Sequence, residues 1–352
     1  MTHLFPASVV GSMPRSDFVR DLVADQGTTD PEATRQRMDA AVRYVVALQE
    51  RAGLDVVTDG EWRRGSYIGV IAELAHGFEI GRFPDGRTQT VVTDRLAPRA
   101  PGFIAEEIRF LRGITDRKVK ATLPAPALLG ERLWDPEKSA AAYPTREAFV
   151  AACVPILRRE VELIRDAGAD IIQVDDPHLC LFVDPDVRAQ YEDPDKAADF
   201  AVDMVNQMID GIEGVHLALH LCRRAGARAR GERRHTGGYE PIMDQLNRLK
   251  VHHLTMEFTT PGAGEFGVLK GLREDLEVGL GCIDVTPGKV DTIDEVVERI
   301  KGATRRIAVE RITLNPDCGF SPGSGAPVDM DEVYEKLKVE VAAAQILRRE
   351  FA

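Results

Sequence analysis

The sequence predicts an α/β fold, a closed barrel of eight parallel strands wrapped by helices. Three observations predict it. Eight short apolar runs recur along the chain, at residues 5–10, 54–58, 119–123, 171–174, 215–221, 253–256, 277–281 and 312–315. Most are followed by a stretch with helical spacing, and short strands alternating with helices imply parallel pairing through right-handed crossovers. No G-x-G-x-x-G turn follows the first run, which counts against a doubly wound open sheet. Eight such units in 352 residues suit a TIM (β/α)8 barrel with insertions, and residues 1–352 are expected to form a single barrel.

Each element has its own signals. The first run ends at Gly11-Ser12-Met13-Pro14-Arg15. A long helix starts at Thr29-Asp30-Pro31, with proline in the first turn, and stops at Gly53. The second run leads into Asp59-Gly60-Glu61-Trp62-Arg63-Arg64. Residues 77–100 differ in character: Gly77, Gly81, Pro84-Asp85-Gly86 and the alternating Thr88-Gln89-Thr90-Val91-Val92 predict a β-hairpin insertion. The third run is capped by Pro124-Ala125-Pro126. A helix over 146–166 stops at Gly168, a glycine in the expected C-terminal place. Further helices are expected over 196–212, 239–249, 293–307 and 330–347.

Composition bounds the function. With 44% hydrophobic and 29% charged residues the chain can bury a large core, and a net charge of -12 argues against nucleic acid or an anionic membrane as the main partner. No apolar run approaches the roughly 20 residues that span a bilayer, and the start lacks the form of a signal peptide. Five cysteines, an odd number, do not make a disulfide framework. A reducing, cytoplasmic setting with free thiols is expected.

The unusual residues lie at strand ends: Ser12, Asp59, Glu61, Asp175, His220, Cys222, Glu257, Asp284 and Cys318. In a barrel these converge on the C-terminal face, where active sites are built. His220 and Cys222 alternate in an extended segment, so imidazole and thiol project together. Alone, such a pair is more often two core residues than two ligands. Glu257, flanked by Met256 and Phe258, is costly to bury unpaired. Cys318 follows the last strand, and the four together are an acceptable zinc set. Cys153 reads as a helix core residue, Cys180 as a loop residue and Cys282 as a strand-end residue. Asp175-Asp176-Pro177-His178 either orients a substrate amine or a metal-ligand imidazole, or simply ends a strand. The arginines 223, 224, 228, 230, 233 and 234 form a basic run, either a solvated loop or an attractor of anionic substrate. His235, His252 and His253 are spare ligand candidates, better read as structural or exposed. Ser12 has no base-and-orienter pattern of a serine hydrolase.

These motifs resemble the cobalamin-independent methionine synthase superfamily, specifically its C-terminal catalytic barrel and the short single-barrel branch. The resemblance runs from Val10-Gly11-Ser12-Met13-Pro14-Arg15 through Asp59-Gly60-Glu61, Gln173-Val174-Asp175-Asp176-Pro177 and His220-Leu221-Cys222. It continues through Gly237-Gly238-Tyr239-Glu240-Pro241 and Glu257 to Asn315-Pro316-Asp317-Cys318-Gly319. It implies a TIM barrel and a Zn2+ cofactor held by His220, Cys222, Glu257 and Cys318. It also implies that Ser12, Glu61 and Asp175 hold an amino-acid thiol, with Glu61 and Asp175 read as catalytic groups. Zinc would stabilise a substrate thiolate, scarce below its usual pKa of about 8.5, for attack on an electrophilic carbon. Two departures stand out. Thr286, in Asp284-Val285-Thr286, occupies the place of a histidine acid in full-length enzymes, and Lys120-Ala121-Thr122-Leu123-Pro124 lacks the tryptophan expected to support folate.

The function expected is therefore zinc-dependent methyl or alkyl transfer to a small-molecule thiol, most simply methylation of homocysteine. Epoxide opening like that of epoxyalkane:coenzyme M transferases is the alternative donor chemistry. A non-catalytic zinc- or thiol-binding barrel and a zinc-free uroporphyrinogen-decarboxylase-like barrel are the other readings. Homo-oligomerisation is left open by the sequence.

Overall fold

A computed structural model describes residues 4–25, 30–84, 87–224, 233, 235–320 and 328–352. Its strands are β1 (Val56–Val57), β2 (Ala75–Arg82), β3 (Thr88–Pro98), β4 (Lys118–Pro124), β5 (Ile171–Asp175), β6 (His216–Leu221), β7 (His253–Met256), β8 (Glu277–Ile283) and β9 (Ile312–Pro316). Seven of them pair in parallel in the order β1-β4-β5-β6-β7-β8-β9. The predicted strand at 5–10 contributes two single bridges instead of a ladder: Ala7 pairs with Leu314 of β9, and Ser8 with Val56 of β1. The Ser8 amide donates to Leu314 O at 3.0 Å, and the Asp55 amide to Ala7 O at 3.0 Å. This segment spans the two edges of the sheet and closes the ring. It pairs so briefly because the next carbonyls are taken by side chains instead: Lys120 Nζ donates to Val9 O, Gln173 Nε2 to Val10 O at 3.1 Å, and Thr58 Oγ1 to Gly11 O at 2.7 Å.

The hairpin is present as the antiparallel pair β2 and β3, with Ala75 opposite Pro98 and Arg82 opposite Thr88. It begins earlier than the turn residues suggested, because Ala75 and His76 already pair with its far strand. The helix at Arg146–Asp166 has the predicted bounds, and the long early helix covers Pro31–Ala52 after an Asp30 cap. Among the described residues six α-helices were not anticipated: Asp17–Ala24, Ile71–Leu74, Phe103–Arg112, Pro126–Leu133, Pro177–Leu181 and Pro185–Arg188. Phe103–Arg112 buries Ile104, Ala105, Ile108 and Leu111 at helical spacing just after Pro101-Gly102. Pro126–Leu133 uses as its first turn the proline that the sequence pattern assigned to a strand cap. The 239–249 segment splits into a 3-10 turn, Glu240–Ile242, and a short α-helix, Met243–Arg248.

The final helix, Met330–Glu350, packs over the closure. Arg348 donates to Leu4 O at 2.8 Å, to Phe5 O at 2.9 Å and to Asp55 Oδ2 at 2.5 Å. Among the described residues, no helix is long and apolar enough to cross a membrane.

Candidate metal and substrate site

β6 delivers its last side chains to the C-terminal rim, where His220 and Cys222 are both 5% exposed. The loop after β9 returns Cys318 to the same place, its Sγ 3.4 Å from that of Cys222. The His220, Cys222 and Cys318 ligand atoms all lie within 4.8 Å of one another. That sulfur spacing is too long for a disulfide and close to the roughly 3.8 Å that two metal–sulfur bonds of about 2.3 Å subtend at a tetrahedral centre. His220 Nδ1 bonds Asp175 Oδ1 at 2.9 Å, and its Nε2 is buried with no hydrogen-bond partner. An imidazole tied through one nitrogen to a carboxylate, with the other left bare beside two thiols, is the arrangement of a metal ligand. The residues present therefore fit a metal ion.

The electrostatics agree. The bond with Cys318 holds the Cys222 thiol well below the usual range; burial opposes this, while His220 and the Arg224 amide, 3.2 Å from the sulfur, add to it. Burial also opposes a charged His220, but the Asp175 carboxylate bonded at Nδ1 and the negative charge of the neighbouring Cys222 sulfur outweigh that and push it up to about 10. The other cysteines behave oppositely. Burial raises Cys153, Cys180 to about 12, and Cys282 well above its ordinary value. Cys180 lies in the short helix Pro177–Leu181 instead of a loop.

Glu257, just past the end of β7, is wholly buried but is not one of the three grouped ligands. Its Oε2 accepts from the Arg223 amide at 2.8 Å. Tyr239 Oη braces the same turn, accepting from the Glu257 amide at 2.9 Å and from Arg223 Nη1 at 3.0 Å. Arg223 also donates to Gly237 O and Ala263 O, and its guanidinium lies 4.5 Å from the Tyr239 ring centroid. Arg223 is thus a buried scaffold residue, which corrects its reading as part of a solvated or substrate-attracting run. Arg233 pairs with Asp184 at 2.9 Å, while Arg228, Arg230 and Arg234 lie outside the described residues. Asp317, fully buried, accepts from the amides of Phe258 at 2.9 Å and Thr259 at 3.1 Å.

Of the predicted substrate residues, Asp175 touches this cluster directly, through His220. Glu61 is buried, accepts from Thr122 Oγ1 at 2.8 Å, and has its pKa raised by burial, against the pull of Arg64. Its backbone is left-handed, with φ 58°. Gly11 makes room for it, since a Cβ there would lie 2.7 Å from Glu61 Oε1. Gly319 does the same for Ser12, where a Cβ would come within 2.3 Å of Ser12 Oγ. Asp59 supports the turn by accepting from the Glu61 amide at 2.9 Å. Asp284 pairs with Lys289 at 3.5 Å and accepts from the Thr286 amide at 2.9 Å. The spare histidines are engaged elsewhere: His235 with Asp184 at 3.1 Å, His252 with the Leu217 amide at 3.0 Å, and His253 with Thr313 at 2.7 Å.

Three contributors were given no structural role in the site by the sequence. Arg223 and Tyr239 brace the Glu257 turn, and Tyr67 stands by the cluster. Desolvation, followed by the negative charges of Cys222 and Asp175, raises the Tyr67 phenol above its ordinary pKa.

Fold and site together define a (β/α)8-type barrel with an imidazole and two cysteine sulfurs, a group that could hold a metal ion, at the C-terminal ends of its strands. Residues 5–346 match the family described as cobalamin-independent synthase, catalytic domain, and the chain belongs to that family. It is 27% identical over 357 aligned residues to a methionine synthase of Pyrococcus abyssi, covering 99% of this chain and 94% of the relative. It is 26% identical to a methionine synthase of Sulfolobus acidocaldarius, with 90% and 86% covered. Its fold is that of a B12-independent methionine synthase from Shewanella sp. W3-18-1, solved with selenomethionine, at TM-score 0.78 and 22% identity over 99% of each chain. A methyltransferase from Methanosarcina mazei is similar at TM-score 0.60 and 16% identity, with 99% and 95% covered.

Proposed function

We propose that the protein transfers a methyl group to the sulfur of homocysteine, with zinc as its metal. The observation that carries this reading is the convergence of His220, Cys222 and Cys318 ligand atoms within 4.8 Å. Two thiolates and an imidazole favour zinc among common metals, and the names of the relatives support the reaction. Glu257, whose Oε2 is already anchored by the Arg223 amide, would be the fourth ligand. Zinc, when bound, would keep a substrate thiol ionised at neutral pH.

The chain's own residues do the rest. Asp175 holds the His220 ring in the tautomer that leaves Nε2 free to ligate. Glu61 offers a buried carboxyl group to the substrate's ammonium group, and Ser12 its hydroxyl to the amino-acid end. The sulfur attacks the methyl carbon in line; the carbon–donor bond breaks with its electron pair leaving on the donor, and the thiol proton is released. Holding both ends of the amino acid fixes the sulfur for that approach, the positioning on which such transfers depend.

The test is metal content together with turnover. Purified protein is expected to hold about one zinc per chain and to form methionine from homocysteine with methylcobalamin or a methylfolate. Product formed only from coenzyme M and an epoxide would replace the methionine reading. Zinc-free protein with full activity would end the metal reading.

A further inference from the structure

We infer that Gln173 is a positioning residue that ties the Ser12 segment to the metal-ligand imidazole of His220. It rests on the metal reading above. Gln173 is wholly buried on β5, two residues before Asp175, so both side chains point to the same face of the strand. Its Nε2 donates one hydrogen to Val10 O at 3.1 Å and the other to Asp175 Oδ1 at 2.8 Å. Its Oε1 faces the Thr255 hydroxyl at 3.5 Å. This assignment of the amide is forced: turned over, its oxygen would face two acceptors.

The same Asp175 oxygen receives His220 Nδ1 at 2.9 Å. One continuous line of bonds therefore runs from the Val10 carbonyl through Gln173 and Asp175 to the imidazole whose Nε2 is bare. Ser12 lies two residues beyond Val10, on a segment that has no ladder of its own. Its carbonyls are pegged from inside the barrel: Val9 by Lys120, Val10 by Gln173 and Gly11 by Thr58. Of these three pegs, Gln173 is the one that also reaches a ligand. The end of the site that holds the amino acid and the end that holds the sulfur are thereby kept at a fixed separation. A shape-matched side chain without donors would leave the Val10 carbonyl unpaired and Asp175 freer to turn away from His220.

The test compares Gln173→Met with Thr58→Val, which removes the Gly11 peg and leaves the Asp175 branch intact. Three quantities are read: zinc affinity by chelator competition, the visible spectrum of the cobalt-substituted protein, and KM against kcat for homocysteine. Q173M is expected to weaken zinc binding about 10- to 100-fold, to shift the cobalt bands, and to raise KM about 10-fold. T58V is expected to raise KM alone. If Q173M does not fold, the near-isosteric Q173E is read in its place, with the same expectations. A variant at 173 with wild-type zinc affinity and cobalt bands overturns the link, as does a T58V protein whose bands shift equally. Failure of the unmutated protein to bind either metal is a separate result, and it removes the metal reading and this link together.

Discussion

At the scale of single residues, the site depends on contrasts between chemically identical groups. Cys222 is held toward the thiolate while Cys153, Cys180 and Cys282 are held as thiols by burial. Cys222→Ser is therefore expected to abolish stoichiometric zinc while leaving the thermal midpoint of the metal-free protein within a few degrees of the parent; metal analysis and calorimetry check the two halves. Gly319→Ala places a methyl against the Ser12 hydroxyl. It is expected to raise KM for the thiol about 10-fold, equivalent to about 1.4 kcal/mol, with a smaller change in kcat, as steady-state kinetics would show. His220 and Cys222 were legible because alternation along a strand is a strict rule. Arg223 was not. Six arginines in twelve residues look like a solvated loop, and nothing in the sequence marks that the backbone turns left-handed at Arg224, φ 57°, leaving Arg223 inside.

At the scale of elements, the loop after β1 is clamped to the helix Phe103–Arg112 by Arg64 and Glu107, 2.6 Å apart and both nearly inaccessible to water. Arg64 also donates to Thr122 O at 2.9 Å, next to the hydroxyl that bonds Glu61. Arg64→Met would leave the Glu107 carboxylate buried without its cation. A loss of about 3–5 kcal/mol is expected, read as a lower urea midpoint with unchanged slope; a shift under about 1 kcal/mol would show that the pair is dispensable. Elements with long periodic patterns, such as Arg146–Asp166, could be bounded from sequence alone. Pro126–Leu133 could not, because proline serves equally as the end of a strand and the first turn of a helix. The first strand was legible as an apolar run but not as a pair of single bridges, since its pegs come from Lys120 and Gln173, far along the chain.

At the scale of the whole molecule, closure is also where charge is buried. Burial lowers Lys120 from 10.5 to about 8, against the raising influence of Asp175, Glu340 and Glu61. Between those pH values the unfolded chain keeps a proton there that the folded chain has lost, so stability should rise with pH across that window, by at most about 3 kcal/mol. Urea unfolding from pH 7.5 upward should show this rise in the parent and a flatter profile in Lys120→Met; parallel profiles would refute it. Arg348→Ala, which removes three bonds from the seam, is expected to cost about 1–3 kcal/mol. The seam also has a consequence for synthesis. Ser8 meets Leu314 across 306 residues, so on the ribosome the barrel waits until nearly the whole chain has emerged. Until then the free margins of β1 and of the newest strand stay open to unwanted pairing. Slowing translation before residue 312 should therefore favour aggregation, and slowing it afterwards should not.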